Sequence, residues 1–372
     1  MKITSYEALC NLGIGIEEIY KKAIEGNNKC FTLSDDFIKT SQVRVGRIMC
    51  DLPIIKNNDY NTRCNRLILK TLELLQDKID KLSEKYEKSR IGVIAATTNS
   101  GVEEFENSNN EKHFELGSPA KFVKEILGLK GYYSTVPTAC SSGIKAFSLS
   151  RDLIRNGIID AAIIVCVDPL SKVSLYGFNS LEVLSQEPSI PFSKNRSGMN
   201  IGEACAIFIA EKEGEGIKVS GIGESSDTYH MTTPDPEGTE AINAIKQALT
   251  EANLKPADID YINAHGTGTI ANDIMESNAI YKVFNDNVPV SSTKQLTGHC
   301  LGAASGIEIA LCCKLIENFN GKLYPNIYDD VFDDNLPPVQ LVNKGKTYTS
   351  CKTVMCNSFG FGGTNAIIIL EK

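Results

Sequence analysis

Dense apolar runs in this chain alternate with stretches of helical spacing. Ile158 to Val167 and Ala366 to Leu370 are rich in Ile, Val and Ala, the pattern of strands covered on both faces. Ile91 to Gly101 (IGVIAATTNSG) and Ile259 to Thr269 (IDYINAHGTGT) each begin apolar and break into a small-residue turn. Asn65 to Leu75, Glu240 to Leu249 and Ile144 to Ile154 instead repeat apolar residues at the spacing of a helix. Strands alternating with helices predict α/β layers.

The pattern occurs twice. Gly202 to Lys212 (GEACAIFIAEK) and Gly362 to Lys372 (GGTNAIIILEK) share six of eleven positions at an offset of 160 (202 to 362). The two strand-and-turn segments at Ile91 and Ile259 stand 168 apart (91 to 259). Ser142-Gly143-Ile144-Lys145 and Ser305-Gly306-Ile307-Glu308 each open a helical stretch, 163 apart (142 to 305). Three matches in one order at nearly one offset predict two copies of an α/β unit, residues 1–213 and 214–372, meeting near Glu213 to Gly216. With no low-complexity linker between them, the units should form one rigid body.

Composition narrows the functional classes. The 372 residues suit two ordinary domains or one large fused unit, and 42% are apolar. The net charge of −8 argues against nucleic acid as the main partner, while leaving room for an acidic protein that docks on a local basic patch. Arg63, Arg66 and Lys70 are spaced to share one helical face and are the candidate patch. Met1 to Leu12 mixes Lys2, Glu7 and Asn11 with apolar residues and does not read as a secretory signal. The longest apolar run, Ile158 to Val167, is interrupted by Asp160 and is too short to span a bilayer. Twelve cysteines without a CxxC pair read as small buried hydrophobes in a reducing cytoplasm.

Four segments can carry chemistry. Cys140, in TACSSG, stands where a turn enters a helix, and a helix N-terminus favours a thiolate; alone among twelve cysteines, it reads more readily as a buried cysteine near a cap. His265, in NAHGTGT, follows a strand, where α/β proteins place ligand sites; the bland alternative is a turn whose His bonds backbone. His299, in STKQLTGHCLGAASG, precedes the second-half helix, so the duplication puts Cys140 and His299 at equivalent helix starts. Lys294 and Glu308 flank it as a surface ion pair or as a buried pair orienting a site. His113 and His230 lie in polar segments and read as solvated. In NSFGFGGTN, Phe359 and Phe361 alternate with glycines, in a flexible loop whose amides can point at a ligand oxygen. That segment runs into a strand and lacks the Lys-Ser/Thr ending of a phosphate loop.

These four blocks, with PFSKNRSG and the following Gly202-Glu203, resemble the signatures of β-ketoacyl–acyl carrier protein synthases of the elongating, Cys-His-His class. The resemblance runs from about Ile91 to the end of the sequence and more loosely before it. It implies a thiolase-like fold: two duplicated α/β halves in a five-layer αβαβα arrangement. It further implies an acyltransferase that joins an enzyme-bound acyl group to a malonyl unit by decarboxylative Claisen condensation. On this resemblance Cys140 is the acyl-accepting nucleophile, and His265 and His299 promote decarboxylation and stabilise the enolate. Lys294 and Glu308 are their supporting pair, and Thr267 and Thr269 are phosphopantetheine contacts. The amides of Cys140 and Phe361 form an oxyanion hole, Phe361 gates the acyl pocket, and Phe178 and Phe359 contact substrate. No cofactor or metal is implied; the substrates ride on the phosphopantetheine arm of an acyl carrier protein. A homodimer or a ketosynthase heterodimer is the expected assembly.

The departures are a Met1 to Leu12 segment lacking the longer apolar first strand, HGTGT where HGTST is common, and a short chain. They suggest a divergent branch serving fatty acid, polyketide or polyene synthesis. A thiolase would need a second catalytic Cys where GFGGTN stands, and chain-initiating synthases use Cys-His-Asn. A non-catalytic, chain-length-setting partner subunit usually loses the nucleophile, which Cys140 retains.

Overall fold

A computed structural model describes residues 1–39 and 41–372. Its main sheet is built from β1 (Lys2–Cys10), β2 (Ile91–Ala96), β3 (Tyr133–Val136), β4 (Ala161–Asp168) and β5 (Ala204–Glu211) of the first half. The second half contributes β6 (Ile217–Ser226), β7 (Tyr261–Asn263), β8 (Pro289–Ser291), β9 (Gln340–Leu341), β10 (Thr353–Gly360) and β11 (Thr364–Glu371). The strand order is β9-β8-β7-β10-β11-β6-β1-β5-β4-β2-β3. Read outward from the centre, each half repeats one rule: two antiparallel pairings, then parallel ones, two in the first half and three in the second. The matched segments of the sequence fall on corresponding elements, β5 with β11 and β2 with β7.

The halves touch within the sheet at two residue pairs only, Lys2 with Lys218 and Ile3 with Ile217. Helices join them as well. α2 (Ser142–Arg155) and α6 (Ala304–Glu317) pack on each other between the two half-sheets. α6 is buried at every position from Ala304 to Ile316, as expected of a helix apolar all round. α1 (Arg63–Lys85) covers the outer face of the first half-sheet, and α3 (Lys172–Ser180) follows β4. α4 (Thr239–Ala252) and α5 (Ile270–Phe284) lie outside the second. The result is five layers, αβαβα. Two glycines let the layers close up: a Cβ on Gly143 of α2 would lie 2.4 Å from Ser305 Oγ of α6, and one on Gly306 of α6 would lie 2.3 Å from Cys166 Cβ of β4.

Several expectations change in detail. The first segment is a nine-residue strand, with Ile3, Ala8, Leu9 and Cys10 buried; the polar residues between Ile3 and Ala8 hid it. Ile158 to Val167 is a strand only from Ala161, and Ile158 is exposed. NSFGFGGTN is a tight β-hairpin, with Asn357 to Gly360 inside β10, Phe361 to Gly363 turning, and Thr364 opening β11. Positive φ at Gly362 and Gly363 (82° and 77°) explains the two glycines at that turn. His113 is buried, with Nδ1 near Ser108 Oγ and Nε2 near Asn58 O; His230 is exposed.

Candidate active site

Cys140 lies in a short 3₁₀ turn, Ala139–Ser141, that runs into α2. Ala139 holds the left-handed backbone (φ 53°), and Leu301 repeats this at φ 52° where the turn Leu301–Ala303 runs into α6. The structural counterpart of the Cys140 turn is therefore Leu301–Ala303, and His299 sits just before it. This corrects the strict Cys140–His299 equivalence. The two residues meet because α2 and α6 start side by side.

Cys140 Sγ is 3.0 Å from His299 Nε2. The His265 and His299 rings stand edge to face, 5.4 Å between centroids and 89° apart. Their proton positions follow from their other nitrogens. His299 Nδ1 accepts the amide of Leu301 at 3.1 Å, and Lys294 Nζ lies 3.1 Å from His265 Nδ1. An ammonium can only donate, so both neutral imidazoles carry their proton on Nε2. Burial, reinforced by Lys294, holds both histidines well below the usual imidazole range, which keeps them neutral. Two buried N–H donors thus serve this site.

Lys294 and Glu308 form a buried pair at 2.5 Å, their side chains 2% and 1% exposed; the surface alternative is excluded. Burial pushes the Glu308 carboxyl up to about 7, against the pull of Lys294. The His265 loop is pinned by Glu276, which accepts the amides of His265 and Gly266 at 2.8 and 2.7 Å and the Asn357 side chain at 3.1 Å. Sequence reasoning missed Glu276; its signal was an acid in an otherwise amphipathic helix, seven residues beyond the end of HGTGT (269 to 276).

The thiol does not meet the expectation of a helix-stabilised thiolate at rest. Burial pushes Cys140 up to about 11, while Lys294 and the amides of Phe361 and Cys140 itself pull it down. Those two amides lie near the sulfur, where oxyanion-hole donors would stand. The carbonyl of Cys140 accepts Ser358 Oγ at 2.8 Å, which ties the turn to β10.

Two cavities of about 350 and 380 Å³ meet at Cys140. The first is lined by His265, His299, Thr267, Thr269 and Phe359, with His230 and Met231 among its outer residues. The hydroxyls of Thr267 and Thr269 are 2.9 Å apart. Phe359 is buried against His265, 5.9 Å between centroids. The second is lined by Thr98, Asn99, Ser174, Gly177 and Leu301. Phe178 and Phe361 border both, 5.7 Å between centroids, and stand between the two spaces.

Cys140, His265 and His299 offer donor atoms within 4.8 Å of one another, a set that suits a soft divalent metal. The proton positions oppose ligation: a metal at either Nε2 would displace the proton to an Nδ1 already facing a donor.

The basic face is a correction. Arg63 donates through Nε and a terminal nitrogen to the fully buried Glu203, at 2.9 and 2.5 Å, and to Ile48 O. Arg66 turns to Asn61, and Lys70 pairs with Glu73. Two of the three side chains are committed to the fold. Among the described residues, no helix is long and apolar enough to cross a membrane.

The family model "Beta-ketoacyl synthase, N-terminal domain" matches residues 62–215, and its C-terminal counterpart matches 217–327. The chain is 37% identical to Nodulation protein E of Rhizobium leguminosarum bv. trifolii over 68% of its own length. It is 33% identical to 3-oxoacyl-(acyl-carrier-protein) synthase 2 of Staphylococcus aureus over 66%. It spans 65% and 63% of those relatives' lengths. A chain from the complex of the ketosynthase ApeO with its chain length factor ApeC, from Xenorhabdus doucetiae, superposes with a TM-score of 0.95 at 35% identity. That superposition covers 100% of this chain and 97% of that one. With its duplicated five-layer fold and a Cys and two His converging from its two halves, the chain belongs to the β-ketoacyl synthase family.

Proposed function

We propose that this chain is an acyltransferase that catalyses decarboxylative Claisen condensation between an acyl group on Cys140 and a malonyl unit. The observation that carries this is the pair of buried Nε2–H donors, on His265 and His299, beside a cysteine sulfur that also faces two backbone amides. In the first half-reaction the sulfur attacks a thioester carbonyl. The amides of Cys140 and Phe361 hold the oxyanion, and the carrier leaves as its thiol, taking the proton that the Cys140 thiol gives up. In the second, loss of carbon dioxide from the malonyl thioester leaves an enolate. The two imidazoles hold its oxygen, and its carbon attacks the acyl carbonyl and frees Cys140. Neutral donors suit this step because no proton need be abstracted.

The 350 Å³ cavity, with Thr267 and Thr269, is the approach for a phosphopantetheine arm presented by an acyl carrier protein. The second cavity takes the acyl chain, and Phe361 with Phe178 gates it. The units 1–213 and 214–372 supply the nucleophile and the two histidines respectively. No cofactor of the enzyme's own is needed, and a cytoplasmic location fits thioester substrates. The assembly is a homodimer or a heterodimer with a chain length factor, the arrangement named for the Xenorhabdus relative. Retention of Cys140 favours the catalytic role over the partner-subunit role. Iodoacetamide labelling mapped to the Cys140 peptide should remove condensation in proportion to the label. Full activity after complete labelling would exclude the proposal.

A further inference from the structure

Asp168 ends β4 fully buried, and condensation as described does not use it. Its carboxylate accepts Thr97 Oγ1 at 2.7 Å, Thr98 N at 2.9 Å, Thr98 Oγ1 at 2.9 Å and Asn99 N at 2.8 Å, all from the first half. From the second half it accepts Gly302 N at 2.6 Å. A carboxylate has roughly four lone-pair sites, so these donors saturate it. The fit is close: a Cβ on Gly302 would lie 2.7 Å from Asp168 Oδ2 and 3.1 Å from Thr98 Cγ2.

Gly302 follows Leu301, whose backbone is held at φ 52° and whose amide donates to His299 Nδ1. The same carboxylate fixes Thr98 and Asn99, which with Leu301 line the second cavity. We propose that Asp168 is a positioning residue that keeps the His299 proton on Nε2, by fixing the Leu301–Gly302 turn, and binds that turn to the second cavity's wall. A slack turn withdraws the Leu301 amide. Nδ1 can then take the proton, and Nε2 presents a lone pair where the enolate needs a donor. The inference rests on the condensation reading above.

Asp168→Asn removes one acceptor oxygen and sets an NH₂ against N–H donors. Losing an oxyanion donor outright costs about 100-fold or more, so a misplaced one should cost decarboxylation at least about tenfold. Acyl loading of Cys140, followed by mass, should stay within about threefold. With only four histidines in the chain, ¹⁵N-histidine spectra, assigned with His299→Ala, report the tautomer directly. The expected result is Nε2–H in the wild type and a shift toward Nδ1–H in Asp168→Asn. Gly302→Ala, which crowds the same contact from the other side, should show the same split if Asp168→Asn does not fold. Equal loss of loading and decarboxylation, no loss of either, or a wild-type His299 protonated on Nδ1 overturns the inference. A wild type that neither loads nor decarboxylates would instead overturn the condensation reading, so the two failures are distinguishable.

Discussion

Cys140 Sγ and His299 Nε2 lie 3.0 Å apart although 159 positions separate them in sequence. The contact exists because two copies of one turn-and-helix unit start side by side at the centre of the molecule. One copy carries the nucleophile. The other carries, just before its turn, a histidine whose Nδ1 is already occupied.

Replacing His265 or His299 by Ala should separate the half-reactions. Each variant should still load acyl on Cys140 while losing decarboxylation, since each donor contributes on the order of 3 kcal/mol to the developing oxyanion. Carbon dioxide release and the mass of the Cys140 peptide, measured together, decide it. Loss of loading in both variants would mean that the histidines serve the thiol instead.

The same histidines give stability a pH dependence. Both are held below the ordinary imidazole range in the fold, so the unfolded chain binds their protons first, from about pH 6.5 downward. Their buried neutral state therefore costs nothing above that pH and weakens the fold as pH falls below it. Relative to wild type, a double His265→Gln, His299→Gln variant should gain about 1 kcal/mol per histidine between pH 6.5 and 5.5, approaching about 1.4 kcal/mol per pH unit below that. Paired urea titrations test this; a gap constant with pH would show that the histidines protonate freely in the folded protein.

Lys294→Met strands Glu308 in the core. Removing one partner of a buried pair costs about 3–5 kcal/mol, and His265 would also lose the donor at Nδ1. Unfolding midpoints should fall accordingly, and decarboxylation should fall further than loading. A variant as stable and active as wild type would remove the pair from the account.

Arg63→Glu should damage the fold, not carrier docking. Its partner Glu203 is fully buried, so reversal places two carboxylates together. Losses should be equal with carrier-bound and free pantetheine thioesters, with a lowered melting temperature. A loss confined to the carrier substrate would restore Arg63 as a docking residue.

Much of this was legible in the sequence. The repeat at offset 160 marked β5 and β11, because a strand buried on both faces leaves a continuous apolar signature. The triad was legible because small residues crowd the turns that present it. Other features were not. β1 alternates polar residues and so conceals a central strand. Arg63 looked like surface charge because its partner Glu203 lies 140 positions away. Asp168 and Glu276 act through backbone amides, and an amide leaves no mark in sequence.

The central claim is that Cys140 carries the growing chain. Wild-type protein should first be incubated with an acyl carrier protein thioester and the Cys140 peptide weighed; malonyl carrier protein is then added. The account predicts acyl mass on Cys140 alone, discharged into a product two carbons longer, with one carbon dioxide released per chain. Elongated product without acyl mass on Cys140, or with that mass on another residue, would contradict it.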